Sequence, residues 1–146
     1  MSAPIRPARS GDYAAIRALL ADQGLPYDDI TAQGGPRFYV ATAADGSLLG
    51  CVAIEPYAAD ALLRSVAVAP SSRGKRLGAT LVQRAESEAA VSGARRLFLL
   101  TTSASGYFAN MGYRSMPRND APSAIQRTSQ FATLCPASAV CMVKEL

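Results

Sequence analysis

The chain has 146 residues, 49% of them hydrophobic and 18% charged, enough for one well-buried domain spanning residues 1–146 and too apolar for a disordered polypeptide. No apolar run reaches the roughly 20 residues that cross a bilayer, and Met1-Ser-Ala-Pro-Ile-Arg-Pro7 lacks a hydrophobic signal region, so the expectation is a cytoplasmic protein with no membrane partner. The net charge of +4 is spread over short clusters with few aromatics between them, which argues against nucleic acid, and the absence of histidine excludes Ser/His and Cys/His dyads and the usual zinc sites, so no metal is expected.

Ile5 to Ala8 reads as a short edge strand, because Pro7 has no N–H to give a central ladder. Ser10 is placed to cap a helix from about Asp12 to Ala21, with Ile16, Leu19 and Leu20 on one face and Gly24 ending it. Tyr27 to Gln33 is a second, shorter helix candidate, broken by Gly34-Gly35-Pro36. Arg37–Ala43 and Leu48–Tyr57 read as strands joined at Asp45-Gly46, and a third strand, about Ala61–Ala69, follows a reversal at Ala58-Ala59-Asp60. The next helix runs from about Arg73 to Ser92, with Leu77, Leu81, Ala85 and Ala89 four residues apart and Gly93 past its end. Leu97-Phe-Leu-Leu100 is continuously apolar, as a central strand covered on both faces is. Ser105 to Met111 reads as a short helix closed by Gly112, with Tyr113–Met116 and Ser138–Glu145 as the last strands. A meander followed by strand, helix and strand implies an α/β (α+β) domain, a mixed sheet with helices packed on it.

The odd cysteine count, Cys51, Cys135 and Cys141 without a Cys-x-x-Cys pair, suits a reducing compartment and small buried hydrophobes. A minor alternative is trivalent arsenic held by three thiolates, which requires all three to converge.

The richest stretch runs from Leu62 to Val82, an apolar strand followed by Pro70-Ser-Ser72 and then a glycine-containing basic segment that opens a helix. The first N–H groups of a helix lack intrahelical partners and sit at the positive end of its dipole, so they collect an anion. Gly74 and Gly78 let the backbone approach a ligand, and Arg73, Lys75 and Arg76 add three charges within four residues. A ligand with at least two phosphates fits better than a neutral one. The alternative is an ordinary strand–turn–helix with a solvated basic turn.

Val66-Ala-Val68 followed by Arg73-Gly-Lys-Arg-Leu-Gly78 resembles the acetyl-coenzyme A motif of the GNAT acetyltransferases, Arg/Gln-x-x-Gly-x-Gly/Ala after a Val-x-Val strand, with Arg76 where the family carries its middle glycine. The element order resembles the GNAT fold along nearly the whole chain, which implies a mostly antiparallel sheet of about seven strands with flanking helices. It also implies two splayed central strands, here about Leu62–Ala69 and Leu97–Thr101. The resemblance implies acetyl-CoA as co-substrate, sufficient in its phosphates to account for the charge. Backbone groups of Val66, Ala67 and Val68 would hold the pantetheine arm, the amides of Arg73, Gly74, Lys75, Arg76, Leu77 and Gly78 the pyrophosphate, and the Val68 region the oxyanion. Leu99 to Tyr113 looks like the matching stretch of bacterial N-acetylglutamate synthase acetyltransferase domains. Phe131-Ala-Thr-Leu-Cys-Pro-Ala-Ser-Ala-Val-Cys-Met142 looks like the tail of small acetyltransferases associated with arsenic-resistance operons. A homodimer through the final strands would accord with the family.

Acetyl transfer needs a neutral amine, a donor for the oxyanion and an acid for the departing thiolate, whereas an α-amino group (pKa near 8) is mostly protonated at pH 7. Without histidine the base is a carboxylate or a water held by one, and Glu55, near the end of its strand, is the best-placed candidate. Where many family members have Phe-Tyr-x-x-x-Gly-Phe, this chain has Tyr107-Phe108-Ala-Asn-Met-Gly112-Tyr113, so Phe108 occupies the donor position and the thiolate leaves unassisted or through water. Tyr107 falls on another helix face and reads as core packing. Arg64, Thr101, Thr102 and Ser103 are the candidates for holding an amino-acid carboxylate, with Arg37 and Arg127 behind them. The leading expectation is an N-acetyltransferase acting on a small amino-acid-like amine, glutamate or an arsenical glutamate analogue. The alternatives are a coenzyme-binding module without turnover and an enzyme for peptide or protein N-termini.

Overall fold

A computed structural model describes residues 4–30, 35–74, 76–135 and 138–146. Seven strands form one sheet in the order β1-β2-β3-β4-β5-β7-β6, with β1 at Ile5–Pro7, β2 at Arg37–Thr42, β3 at Leu48–Tyr57, β4 at Asp60–Val68, β5 at Arg96–Thr101, β6 at Arg114–Met116 and β7 at Val140–Glu145. All neighbours are antiparallel except β4 and β5. This is the mixed, mostly antiparallel sheet that the element order implied. The closing strand β7 lies between β5 and β6, so both its edges are taken, and a dimer built on β7 pairing has no open edge to use.

Alternation along the strands sorts the core into two faces. Val52, Ile54 and Leu63 pack under α2 (Leu77–Val91), whose Leu81, Val82, Ala85 and Ala89 are fully buried. Cys51 and Ala53 turn the other way, onto Ile16 and Leu20 of α1 (Tyr13–Asp22). Leu62, Phe98 and Val143 are covered by Ile125 and Phe131, from α4 (Ser123–Gln126) and the turn after it. At Gly50 the sheet meets α2 so closely that a Cβ would stand 2.8 Å from the Leu81 Cδ1 and 2.9 Å from the Ala67 carbonyl oxygen.

Several local expectations are corrected. Ser10 does not cap α1: Ser10–Asp12 is a 3-10 turn, and the Asp12 carboxylate accepts from the Arg9 N–H at 2.7 Å while pairing with Arg6. Tyr27 to Ile30 form a turn and not a helix, and the remainder of that candidate, 31–33, lies outside the described residues. The second long helix begins at Leu77, not Arg73, because Arg76 adopts the left-handed conformation, φ +61°, and Gly74 has φ +81°. A tight turn therefore precedes the helix. Between β6 and β7 the structure adds α4 and a π-helical turn at Gln130–Leu134, both absent from the sequence reading. Cys51 lies on β3 and Cys141 on β7, three strand steps apart or on the order of 14 Å, so the three thiols do not converge.

Candidate active site

The site is made by a failure of strand pairing. β4 and β5 run parallel only through Asp60–Arg96, Ala61–Leu97 and Leu62–Phe98, and beyond that they part. At the same place β4 bulges: Cys51 faces Ala67 and Ala53 faces Arg64, so Ser65 and Val66 share one opposing residue, Val52. Ser65 sits at φ +60°, which re-aims the backbone at the bulge. The opening is a cleft of about 350 Å³ with Leu63 to Val66 on one wall and Leu99 to Ala104 on the other. Val66 also belongs to a second pocket of about 360 Å³, formed by Val68, Arg73, Gly74, Arg76, Gly78 and Tyr107. The two meet at Val66 on β4: the cleft at the strand gap carries polar side chains such as Thr102 and Ser103 beside apolar ones, and the pocket at the helix entry carries Arg73 and Arg76.

The basic end lies at the entry to α2. Gly74 and Arg76 are both left-handed just before α2 begins, and the first amides of α2 have no intrahelical partner. At Gly78 an added Cβ would lie 2.7 Å from the Tyr107 hydroxyl, so this glycine makes room for the phenol and leaves the helix entry open. Tyr107, 43% exposed, is therefore a wall of this pocket and not core packing, with its phenol titrating above the ordinary value through partial burial. Its neighbour Phe108 is buried, edge-on to Tyr107 and Tyr113, and lines the cleft at the strand gap. One turn of α3 (Ser105–Ala109) thus serves both pockets. Lys75 lies outside the described residues.

The residues assigned to the acceptor and to proton transfer have other partners. Arg64 is on the cleft lining, yet its side chain is wholly buried in an ion-pair cluster. Nη1 and Nη2 donate to the Asp29 carboxylate, the second at 2.8 Å, while Nη1 also reaches Glu55 Oε2 at 3.1 Å and Nε donates to Ser65 Oγ. Four of its N–H groups are thereby used within the chain. Glu55 is not on the cleft lining, and its other oxygen accepts from the Tyr57 hydroxyl at 2.7 Å. That bond and burial push the Tyr57 phenol well above its usual value, burial contributing more. Thr101 Oγ1 accepts from the Ala104 N–H at 3.0 Å and so shapes the entry to α3. Thr102 and Ser103 are exposed on the cleft wall. Arg37 bonds Ser92 on the opposite side of the sheet, and Arg127 is exposed away from the cleft lining. Of the backbone expected to meet the pantetheine arm, the Val68 carbonyl already accepts from Gln23 Nε2 at 2.6 Å, and the Val66 and Ala67 edge faces the gap.

The structure also places in the cleft residues that the sequence reading passed over. Gly24, at φ +69°, reverses the chain after α1 and lays Leu25 and Pro26 over the opening. The Gly-Leu-Pro breaker was the available signal. Gln130, Cys135 and Ala139 line the far end, and no periodicity announces them.

The chain is similar in sequence and in fold to known proteins. A family model described as "Acetyltransferase (GNAT) family" matches residues 10–113. The chain is 37% identical over 106 residues to an uncharacterized N-acetyltransferase of Chlorobaculum tepidum, covering 69% of this chain and 66% of that protein. It is 32% identical over 80 residues to an amino-acid acetyltransferase of Ralstonia nicotianae, covering 53% of this chain and 18% of that one. The chain thus spans just under two thirds of the first relative and less than a fifth of the second. In structure, all of it matches 35% of N-acetylglutamate synthase from Neisseria gonorrhoeae, solved with coenzyme A and N-acetyl-glutamate, at a TM-score of 0.83 and 24% identity.

Proposed function

The chain belongs to the GNAT acetyltransferase family, and on that premise we propose that it transfers an acetyl group from acetyl-CoA to the amine of a small amino-acid-like acceptor, within a ternary complex. The observation that carries this is the groove along β4: an unpaired, bulged strand edge running into a basic turn that two left-handed residues hold open. Acetyl-CoA, when bound, supplies the activated thioester. The turn from Arg73 to Gly78, Lys75 included, is assigned to its pyrophosphate, and the Val66–Val68 edge to its pantetheine arm. Phe108 gives the thioester an apolar seat and no proton, so thiolate departure relies on the moderate acidity of a thiol.

In this reading Arg64 orders the acceptor side without contacting the acceptor's carboxylate, since its donors are committed to Asp29, Glu55 and Ser65. Glu55 acts on the amine proton only through water, because it is paired with Arg64 and is not on the cleft lining. The acceptor is assigned as glutamate or a close analogue, an arsenical one included. Support comes from the amino-acid acetyltransferase relative and from the likeness of the 131–142 tail to arsenic-operon acetyltransferases.

The test is free-thiol release from acetyl-CoA with purified protein and a panel of amino acids, amines and short peptides. Release with an amino acid and not with peptides is the expected result. Stabilisation by acetyl-CoA with no release from any amine assigns a coenzyme-binding module instead, a reading favoured by Phe108 at the donor position. Release with peptides alone overturns the choice of acceptor.

A further inference from the structure

The far end of the cleft holds a group that neither the coenzyme nor the ion-pair cluster uses. Gln130 is 5% exposed and lies on the cleft lining beside Cys135. Its Oε1 accepts from the Cys135 thiol, with Sγ 3.0 Å away. Its Nε2 is fully enclosed and has no hydrogen-bond partner among the described residues. An enclosed amide donor without an acceptor opposes folding, and native proteins keep few of them, so one on the wall of a cleft points to a ligand atom that completes it. Gln130 also opens the π-helical turn, a rare backbone form that recurs at functional sites.

Charged groups stand near the Cys135 thiol: the guanidiniums of Arg118 and Arg64 and the carboxylate of Asp29, with Glu55 also paired to Arg64, so Arg118 is the guanidinium set against the turn itself. Arg118 is anchored on the Phe131 and Cys135 carbonyls, at 2.6 and 3.4 Å, which holds its charge next to the turn. Ala139, 7% exposed, gives the same end an apolar side.

We propose that this end of the cleft receives the carboxylate of the acceptor, the Gln130 side chain turning its unpartnered Nε2 out of its enclosed position to donate to one of the carboxylate oxygens. Gln130 is then a specificity-determining residue: it selects amines that carry a carboxylate and turns the amine back toward the strand gap. The inference rests on the acetyl-transfer reading for the identity of the cleft's occupant, and its test has a readout of its own.

Two variants and one labelling experiment decide it. Gln130→Met keeps the volume and removes the donor, and Gln130→Glu sets a carboxylate against the acceptor's. The acceptor KM rises about 10- to 100-fold in the first, as loss of a hydrogen bond to a charged group implies, and further in the second, with the acetyl-CoA KM within about twofold of wild type. Unchanged acceptor KM in both overturns the assignment. In the wild-type protein saturated with CoA, labelling of Cys135 by N-ethylmaleimide is followed by mass spectrometry with each L-amino acid and with its decarboxylated amine. Slower labelling with at least one amino acid, and not with its amine, is expected; protection by none overturns the proposal even if the variants fail to fold. Thiol release only from amines lacking a carboxylate removes the Gln130 role and leaves acetyl transfer standing. Protection of Cys135 with no thiol release from any amine does the reverse.

Discussion

The Arg64 guanidinium and the Asp29 carboxylate form a two-bond ion pair, with Nη2 2.8 Å from Oδ1 and Nη1 on Oδ2, and that pair ties the segment after α1 to the middle of β4. The Arg64 side chain is 0% exposed and that of Asp29 24%. The charge inside the protein thus depends on a partner that water still reaches. Removing the partner leaves Arg64 with Glu55 alone.

Asp29→Ala is therefore expected to cost about 2–3 kcal/mol, below the full value for a buried pair because Asp29 is partly solvated, or a fall in Tm of roughly 5–10 °C. Asp29→Asn, which keeps one acceptor, costs less. The hydrogen bond from Arg64 holds the Asp29 carboxyl below its ordinary value, against the opposing effect of burial. A depressed folded value means that the stabilisation is complete above about pH 4, the unfolded value, and is lost as pH falls through the folded one. Thermal melts between pH 3 and 7 should show a steeper acid decline in the wild type than in Asp29→Asn.

Arg76 occupies a left-handed conformation that glycine adopts without strain. The strain costs about 1–2 kcal/mol for a side-chain-bearing residue, and the greater freedom of an unfolded glycine offsets roughly 0.4–1 kcal/mol of any gain. Arg76→Gly is expected to raise Tm slightly, by about 1–3 °C, while weakening CoA binding through the lost charge. Differential scanning calorimetry with and without CoA separates the two effects.

Arg73 lines the same pocket and lies in the turn assigned to the pyrophosphate. Arg73→Glu should weaken CoA binding by tenfold or more and flatten the salt dependence, because a screened attraction has been replaced by a repulsion. Calorimetric titration at about 20 and 300 mM salt checks both. Unchanged affinity removes the pyrophosphate assignment.

Gly50 has no room for a Cβ, and one of the two atoms in the way is a backbone carbonyl that cannot rotate aside. Gly50→Ala should cost about 1–3 kcal/mol by overpacking. Urea denaturation measures it, and a cost below about 0.5 kcal/mol shows that α2 moves off the sheet more easily than its packing implies.

The three thiols should differ in reactivity. Burial pushes Cys51 up to about 12 and Cys141 up to about 11, whereas Cys135 is only half-buried and has guanidiniums that favour the thiolate against the effect of burial. Iodoacetamide at pH 8, followed by mass spectrometry, should modify Cys135 first.

Where local chemistry decides, sequence was enough. The Asp45-Gly46 turn, the alternation of β3, the four-residue spacing along α2 and the continuous apolar run of β5 each name their element, because period and turn residue are properties of neighbours in the chain. The basic turn after the valine strand was legible for the same reason. The start of α2 was not: whether Arg76 joins the helix or caps it in a left-handed conformation depends on how the turn packs, and arginine carries no propensity that announces the second. Nor was the segment from Arg118 to Cys135, whose helical pieces are too short to show a period and are held by Arg118 on two carbonyls.

Composition and pattern alone determined that this chain makes a mixed sheet with helices packed on it and a basic, glycine-containing turn beyond its fourth strand, since those follow from short-range spacing. Which side chains face the cleft, and which are spent on one another, only the tertiary structure decided. Arg64 looked available on its strand, and Asp29, 35 residues away in sequence, claims it. Gln130 carried no signal in the sequence, and the fold enclosed its amide without an acceptor in a residue of the cleft lining. The pairing of polar groups is settled by distance in space, and that is information a linear order does not contain.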